Sequence, residues 1–297
     1  MTTHTTAEGF SEANKTYFDT IAHQYDDKPH AAERARRTAA ALRKAYEFKE
    51  DSTTVMEYAC GTGLVSRELA PHAKRIVGVD ISQGMVDQFN LRVSNQGIPL
   101  EEMQAVCAEL KGEQGELGDE KFDVIVCASA YHHFTSIDDV TRILAYFLKP
   151  GGTLLVVDLA KHTGQHAPHA HGDGVEHGHH DRAHHTHGNG HEHGHHDRAH
   201  HTHGNGHEHH HQEGAHHARG DDREHGHHHH HHDHHVQHHP SIPKEFHHLV
   251  PHRGGLDEAD MRRAFEGAGL EAFSFEDALV DKNNAKLFIA KGIKPGV

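Results

Sequence analysis

A glycine-containing turn carries the sharpest chemical signal in this sequence. The run Glu57-Tyr58-Ala59-Cys60-Gly61-Thr62-Gly63 lies between a short apolar segment typical of a strand and a segment typical of a helix. Glycines at such a turn let the backbone approach a ligand closely, and a helix N-terminus favours a carboxylate or phosphate. Asp80 ends the next predicted strand and is suited to accept hydrogen bonds from two ribose hydroxyls. Together these features predict a nucleoside or dinucleotide site.

The turn does not decide by itself which nucleoside compound binds. Nicotinamide-dependent oxidoreductases share a glycine turn of this kind, with the fingerprint GxGxxG. In this sequence the third glycine position is occupied by Ser66. The oxidoreductase hypothesis therefore stays open but is disfavoured, as it also is by the hairpin predicted at the C-terminus.

Two adjacent histidines could act on a substrate. His132 and His133 follow the fourth predicted strand, at the edge of the sheet where folds of this kind bind their ligands. An imidazole can serve as a general base for an acceptor that is protonated and weakly nucleophilic. Either histidine is a catalytic candidate. The alternative is that one of them caps a turn or packs against the pocket.

A histidine-rich tract forms a second chemical feature. Most of the 43 histidines lie between His162 and His252, and Glu176–His191 recurs unchanged as Glu192–His207. The tract is too poor in apolar residues to offset its ordering entropy, so we predict that it is disordered without metal. Neutral imidazoles bind zinc, nickel and copper, but the spacing specifies no single fixed site. The alternative to a metal-binding role is a tolerated low-complexity expansion. One uninterrupted run in the tract comprises His227, His228, His229, His230, His231 and His232.

The segments that must position these residues alternate between strand and helix patterns. A late helix begins at Asp257 and precedes two strands that are close enough to form a hairpin. The pattern predicts an α/β fold with a mostly parallel sheet, helices on both faces and one antiparallel strand. The predicted strands are 53–58, 75–80, 103–108, 122–129, 153–158, 270–275 and 286–291.

The organisation of the chain follows from where this alternation stops. Residues 1–161 and 242–297 are predicted to form one domain, interrupted by the insertion 162–241. The net charge is −15 with neutral histidines, and no concentrated Lys/Arg patch indicates a nucleic-acid partner. No apolar run approaches the ~20 residues that span a bilayer. We therefore expect neither a nucleic-acid nor a membrane partner.

The compartment is inferred from the cysteines and the N-terminus. Cys60, Cys107 and Cys127 have no disulfide-framework spacing, and residues 1–15 lack the apolar core of a signal peptide. We expect a cytoplasmic protein, and the nucleus is also compatible with the sequence. The sequence does not indicate an oligomeric state.

The glycine turn resembles motif I, E/D-x-G-x-G-x-G, of class I S-adenosylmethionine-dependent methyltransferases. Near the N-terminus, Phe18-Asp19…Ala22…Tyr25-Asp26 is similar to the opening helix of the ubiquinone/menaquinone-biosynthesis type. The resemblance covers about residues 17–158 and 250–291, and it implies a Rossmann-like, seven-stranded, mostly parallel sheet with a C-terminal antiparallel hairpin. The other matching segments are Val79-Asp80-Ile81-Ser82 with Met85, Phe122-Asp123-Val124-Ile125, Leu148-Lys149-Pro150-Gly151-Gly152 and Met261…Gly267-Ala268-Gly269-Leu270.

The resemblance also implies where S-adenosylmethionine binds. Glu57 would favour the ammonium group of its methionine part, Asp80 would hold the ribose, and Glu109 would accept the exocyclic amine of adenine. Two residues depart from the family pattern, because Ala59 replaces a usual glycine and Cys107 a usual aspartate. Tyr25 would close over the cofactor, with helix packing as the alternative. The complete set of implied cofactor residues is Tyr25, Glu57, Ala59, Cys60, Gly61, Thr62, Gly63, Asp80, Ile81, Met85, Ala108, Glu109 and Ser129.

Two functional hypotheses from different classes follow. The first is methyl transfer from S-adenosylmethionine to a small-molecule acceptor, at oxygen or nitrogen rather than carbon. The alternative is a metal-binding or metal-buffering protein whose Rossmann-like domain is vestigial or regulatory. The intact Glu57, Gly61, Gly63 and Asp80 count against the alternative, since a decayed site should lose these residues first.

Overall fold

The computed structural model describes residues 7–161 and 242–296. They contain a seven-stranded sheet with the strand order β3-β2-β1-β4-β5-β7-β6. Strands β1 to β5 are parallel, and β7 runs antiparallel to both β5 and β6. This arrangement confirms the predicted fold class. The strands are β1 (Thr54–Tyr58), β2 (Arg75–Asp80), β3 (Met103–Cys107), β4 (Phe122–Ala128), β5 (Leu148–Leu159), β6 (Glu271–Val280) and β7 (Lys286–Ile293).

Helices cover both faces of this sheet. Short 3-10 turns lie at Ala22–Asp27, Ala70–His72, Glu116–Asp119, Tyr131–His133 and Lys244–Phe246. No helix among residues 7–161 and 242–296 is long and apolar enough to cross a membrane. The α-helices are α1 (Ala7–Ile21), α2 (Ala31–Ala45), α3 (Leu64–Leu69), α4 (Gln83–Asn95), α5 (Ile137–Phe147) and α6 (Glu258–Gly267).

The core consists of two apolar layers, one on each face of the sheet. Successive side chains of a strand point to opposite faces, so neighbours along one strand enter different layers. Val124 of β4 packs in the layer beneath α2, α3 and α4, whereas Ile125 packs in the layer beneath α5 and α6. Burial on both faces explains why the central strands are continuous apolar runs.

Two strands extend beyond their predicted limits. The structure begins β5 at Leu148, whereas the sequence predicts a turn at Lys149-Pro150-Gly151-Gly152 and a strand from Thr153. Phe122 pairs with Leu148 and Val124 with Thr153, so an irregularity in the ladder absorbs the turn-like residues. Strand β6 continues to Val280 because it pairs with β7 along the hairpin.

The segment 242–256 returns the chain to the sheet after the insertion. Ile242, Leu249 and Val250 are buried and pack against Tyr17 of α1 and Leu159 of β5. Leu256 accepts a hydrogen bond from the Lys161 amide and donates one to the Leu159 carbonyl. The disorder predicted for 162–241 falls outside the described residues.

Candidate functional site

A cavity of about 400 Å³ lies at the edge where β1, β2 and β4 end. Its walls come from the residues that follow these strands and from α1 and α2, in agreement with the rule that ligands bind at the carboxyl ends of parallel strands. Gly63, Ala108 and His132 are not among its lining residues. The predicted site residues that line it are Tyr25, Glu57, Ala59, Cys60, Gly61, Thr62, Asp80, Ile81, Met85, Glu109, Ser129 and His133.

Asp80 is fixed by backbone amides from two turns. Its carboxylate accepts hydrogen bonds from Gly61 N at 2.8 Å and Ser82 N at 2.9 Å. Burial raises the pKa of Asp80, although these two amides oppose that effect. The Asp80 carboxylate thus links the glycine turn around Gly61 to the start of α4, and it faces the cavity.

Glu57 is a buried acid that forms no ion pair within residues 7–161 and 242–296. Its side chain is 3% exposed, and the Ser66 hydroxyl donates a hydrogen bond to Glu57 Oε2. Burial raises the pKa of Glu57 to about 7, and Ser66 partly offsets this increase. A carboxyl group in this state is suited to receive a cationic group from a ligand.

Two non-glycine residues beside the cavity adopt left-handed backbone angles. Ala59 has φ 55° and Ser129 has φ 56°, at the ends of β1 and β4. L-residues pay about 1–2 kcal/mol for this conformation, which marks both turns as strained. Gly63 serves packing instead of lining the cavity, since a Cβ there would lie 2.5 Å from the Phe89 ring.

Two aspartates, Asp19 and Asp26, tie the N-terminal segment to the cavity, and the sequence analysis gave neither of them a role. Asp19 of α1 accepts hydrogen bonds from Ser82 Oγ and Gly84 N, so it caps α4 from outside that helix. Asp26 accepts a hydrogen bond from Thr62 Oγ1 and pairs with Arg67 and Arg92 at 2.9 Å. The arginine contacts of Asp26 depend on tertiary packing and could not be deduced from sequence spacing.

Tyr25 lies in the turn that Asp26 anchors. It lines the cavity, and its ring packs against Phe18 and beneath Lys28 Nζ, which lies 4.4 Å from the ring centroid. Burial raises the pKa of the Tyr25 hydroxyl. Both cofactor contact and helix packing are therefore compatible with its position.

Arg34 of α2 is a cavity residue that the sequence analysis did not single out. Its guanidinium group makes no hydrogen bond or ion pair within 7–161 and 242–296, although it is half-buried. Its charge affects two neighbouring groups. It adds to the burial that lowers the pKa of Lys28, and it opposes the burial that raises the pKa of Tyr25. A half-buried cation with unused donors can receive a carboxylate.

The imidazole of His133 is oriented by the segment after the insertion. Its Nδ1 lies 3.0 Å from the carbonyl oxygen of Leu249, and its ring packs edge-on against Phe18. Burial and the neighbouring His132 lower the pKa of His133 to about 3, so the ring is neutral near pH 7. A carbonyl can only accept a hydrogen bond, so Nδ1 carries the proton and Nε2 keeps its lone pair.

His132 has a different environment from its neighbour. Its Nδ1 contacts Asp158 Oδ1 at 2.6 Å, and Asp158 is fully buried at the end of β5. Burial raises the pKa of Asp158, but the charge and hydrogen bond of His132 outweigh burial and lower it overall. The structure therefore pairs His132 with a strand residue and leaves His133 as the cavity histidine.

Apolar side chains form part of the cavity wall and suit a flat, apolar ring. Met85 and Leu110 are buried there, and Ile81 follows β2. Glu109 is exposed and accepts a hydrogen bond from Ser11 Oγ of α1 at 3.2 Å. Ala108 donates its amide to the Asp80 carbonyl, so it supports the wall without lining it.

No metal centre accompanies this cavity in the described residues. Within 7–161 and 242–296, no group of three or more His, Cys, Asp or Glu side chains could hold an ion. The three cysteines are free. The predicted metal ligands His227 to His232 lie outside the described residues, so zinc, nickel or copper binding there stays a prediction.

Part of the chain is similar to known methyltransferases. Residues 55–152 match the family described as "Methyltransferase domain". An uncharacterized methyltransferase of Schizosaccharomyces pombe is 42% identical over 118 residues, which are 38% of this chain and 41% of that protein. A ubiquinone biosynthesis O-methyltransferase of Histophilus somni is 28% identical over 100 residues, covering 34% and 42% respectively.

A solved structure supports the fold over most of the chain. The S-adenosylmethionine-dependent methyltransferase from Aquifex aeolicus superposes with a TM-score of 0.52 at 13% identity, covering 93% of this chain and 97% of that one. At this identity the likeness concerns the fold alone. The chain spans about two fifths of the length of the two curated relatives described above.

Proposed function

Because this chain carries a methyltransferase domain of the class I, S-adenosylmethionine-dependent family, we propose that it transfers a methyl group from S-adenosylmethionine to a small molecule. The observation that carries the proposal is the charge arrangement of the cavity. Glu57 and Asp80 face it as acids, and Arg34 faces it as a cation without a partner among the described residues. S-adenosylmethionine has an ammonium group, a ribose diol and a carboxylate to match them.

The residues present fit this cofactor at each of its parts. Glu57 would take the ammonium group and Arg34 the carboxylate, since both are half-buried or buried without an opposite charge. Asp80 would accept hydrogen bonds from the ribose diol, because it is held rigidly by two backbone amides. Met85 and Leu110 would pack on the adenine. Glu109 keeps the role at the adenine edge that the family resemblance implies.

The cofactor supplies an electrophilic methyl group on a sulfonium sulfur. The protein must align the acceptor with that methyl group and exclude water. His133 contributes by accepting a hydrogen bond from the acceptor through Nε2 and by taking its proton as the new bond forms. Its low pKa keeps Nε2 unprotonated over the physiological range but also makes the ring a weak base, so the proton moves only once the forming bond has made the acceptor strongly acidic. His132 contacts Asp158 instead and supports the turn after β4.

The proposed acceptor is a small molecule with a hydroxyl or amine group. An oxygen acceptor is favoured, because a relative is named as an O-methyltransferase and because His133 is placed to receive a hydroxyl proton. No basic surface patch in the sequence favours a nucleic-acid substrate. We therefore propose small hydroxylated compounds as the first acceptors to assay.

Calorimetric titration of S-adenosylhomocysteine into the metal-free full-length protein tests the cofactor assignment. Asp80→Asn keeps the side-chain shape but replaces one of the two acceptor oxygens that the ribose diol requires with a donor, and we expect it to lower affinity at least tenfold. Asp87→Asn is the matched control, because Asp87 is exposed on α4 and does not line the cavity. Absence of binding to the parent protein, or equal losses in both variants, would reject the proposal.

The acceptor is then sought by measuring methyl transfer. Labelled S-adenosylmethionine is incubated with panels of phenols, hydroxy acids and amines, and label in the product is counted. We expect hydroxyl compounds to accept the methyl group in the parent protein but not in Asp80→Asn at the same cofactor concentration. Transfer to amines alone would contradict the preference for oxygen.

A further inference from the structure

Ser66 controls the immediate surroundings of Glu57. Its hydroxyl donates a hydrogen bond to Glu57 Oε2 from the first turn of α3. Ser66 is 0% exposed, and no other side chain in the described part of the chain donates a hydrogen bond to this carboxylate. The position is the one at which the dinucleotide fingerprint has its third glycine, so the hydroxyl is a feature of this chain's own turn.

The charged groups around Glu57 leave it poorly compensated. Asp80 repels its negative charge, and Arg67 attracts it weakly while pairing with Asp26. Burial is the largest influence and favours the protonated acid, whereas the Ser66 hydroxyl and amide favour the ionised form. The balance raises the pKa of Glu57 to about 7, so both forms are populated near neutral pH.

We propose that Ser66 is a positioning residue that holds Glu57 ready to ionise, so that capture of the cofactor's ammonium group releases a proton from Glu57. This inference rests on the proposed function, because it requires that the ammonium group of S-adenosylmethionine or S-adenosylhomocysteine binds at Glu57.

The coupling has a measurable signature. An ammonium group favours the ionised carboxylate, so binding below neutral pH must first remove the proton. Affinity should then fall about tenfold for each pH unit below the pKa of Glu57. Removing the Ser66 hydroxyl destabilises the ionised Glu57 carboxylate. The pKa of Glu57 then rises, and the loss of cofactor affinity begins at a higher pH.

The experiment compares two probes across pH in the full-length protein. S-adenosylhomocysteine carries the amino-acid part, whereas 5′-methylthioadenosine lacks it and shares the adenosine. For Ser66→Ala we expect S-adenosylhomocysteine affinity to fall about five- to tenfold near pH 6.5 and less than about twofold near pH 8.5, because loss of the hydroxyl raises the pKa of Glu57. The affinity for 5′-methylthioadenosine should not change at either pH. The histidine tract titrates alike in parent and variant, so its effect cancels in the ratio.

Glu57→Gln provides the second arm. This variant cannot ionise, so its affinity for S-adenosylhomocysteine should be low and independent of pH between about 6 and 8.5. Adding Ser66→Ala to it should introduce no pH dependence. Titrations of the parent protein in buffers with different ionisation enthalpies should detect about half a proton released per cofactor near pH 7. Thermal melting establishes that each variant is folded.

The outcomes separate this inference from the proposed function. Equal losses for Ser66→Ala at both pH values, or equal losses for both probes, would show that Ser66 only packs the turn. If the parent bound S-adenosylhomocysteine with no pH dependence, the proton coupling would be wrong and the cofactor assignment would stand. If the parent bound neither probe, both proposals would fall.

Discussion

The His133 imidazole and the Leu249 carbonyl are 3.0 Å apart, and they join the turn after β4 to the segment that follows the insertion. Asn14 Nδ2 of α1 donates to the same carbonyl at 2.9 Å. One backbone oxygen thus fixes the orientation of the ring and the position of α1 against it. Since Nδ1 is committed to this bond, Nε2 is the nitrogen available for other partners.

Substitution of His133 should distinguish the roles of its two ring nitrogens. An asparagine amide can replace the Nδ1 donor but offers nothing at the position of Nε2. For His133→Asn we therefore expect near-parental melting and S-adenosylhomocysteine affinity, with transfer to the best hydroxyl acceptor reduced about 10²–10⁴-fold. His132→Asn is the comparison, since His132 does not line the cavity. Unchanged transfer in His133→Asn would remove His133 from the chemistry.

Arg34 should contribute to the affinity only of ligands with a carboxylate. We expect Arg34→Gln to weaken S-adenosylhomocysteine binding about tenfold, the loss of one charge-assisted contact, and to leave 5′-methylthioadenosine unchanged. Arg37→Gln is the control, because Arg37 is exposed on the same helix and does not line the cavity. Calorimetry on both ligands measures the difference. A loss for both ligands would assign Arg34 to packing.

Ala59→Gly should stabilise the protein. Glycine adopts the observed φ of 55° without the steric clash of a Cβ, but it also has more conformational entropy in the unfolded chain. We expect relief of the clash to be the larger effect, so that the free energy of unfolding rises by about 0.5–1 kcal/mol. Ala40→Gly in the exposed face of α2 is the matched control and should cost about 1 kcal/mol. Chemical denaturation gives both free energies of unfolding. Destabilisation by Ala59→Gly would mean that the strain at this turn is offset by contacts of the methyl group.

Glu57→Gln should raise stability while it weakens cofactor binding. The pKa of Glu57 lies near 7 in the folded protein and its ordinary value is 4.5, so between these values the unfolded chain has lost a proton that the folded one keeps. The parent's free energy of unfolding therefore decreases through this window as pH rises. The glutamine side chain does not titrate, so the free energy of unfolding of Glu57→Gln lacks this decrease.

The resulting stability difference should grow from pH 4.5 to 7 and level off above 7 at about 1–3 kcal/mol. Denaturation of both proteins at a series of pH values without cofactor measures it. A constant difference across the series would contradict the assigned pKa.

Sequence patterns predicted those parts of the fold in which burial leaves a local trace. Strands β1, β2 and β4 are covered on both faces, so their apolar runs are unambiguous. Helix α1 leaves a weaker trace, because its residues from Ala7 are largely polar and it is held by contacts with α4 and the segment 242–256. The N-terminal region was therefore predicted only by resemblance and only in part.

The candidate site shows the same division. The turn around Gly61 and the carboxylate of Asp80 are close to one another because two adjacent strands end there, and the sequence spacing predicts this. Which of two neighbouring histidines enters the cavity depends on partners more than 20 residues away, Asp158 for His132 and Leu249 for His133. Arg34 gives no local signal, since a helix with several arginines does not reveal which one lies at the ligand.

The hydrogen bond from Lys161 to Leu256 has an evolutionary consequence. Lys161, the last described residue before the insertion, therefore lies beside the segment 242–256 that follows it, so closing the intervening loop requires little further ordering once the sheet has formed. Each doubling of such a segment costs only about 0.6 kcal/mol of closure entropy. Copies of the repeat Glu176–His191 can therefore be gained or lost between related proteins with little selection from folding. Variation in the length of this tract among related proteins is the expected result, with the sheet and helices on either side of it unchanged.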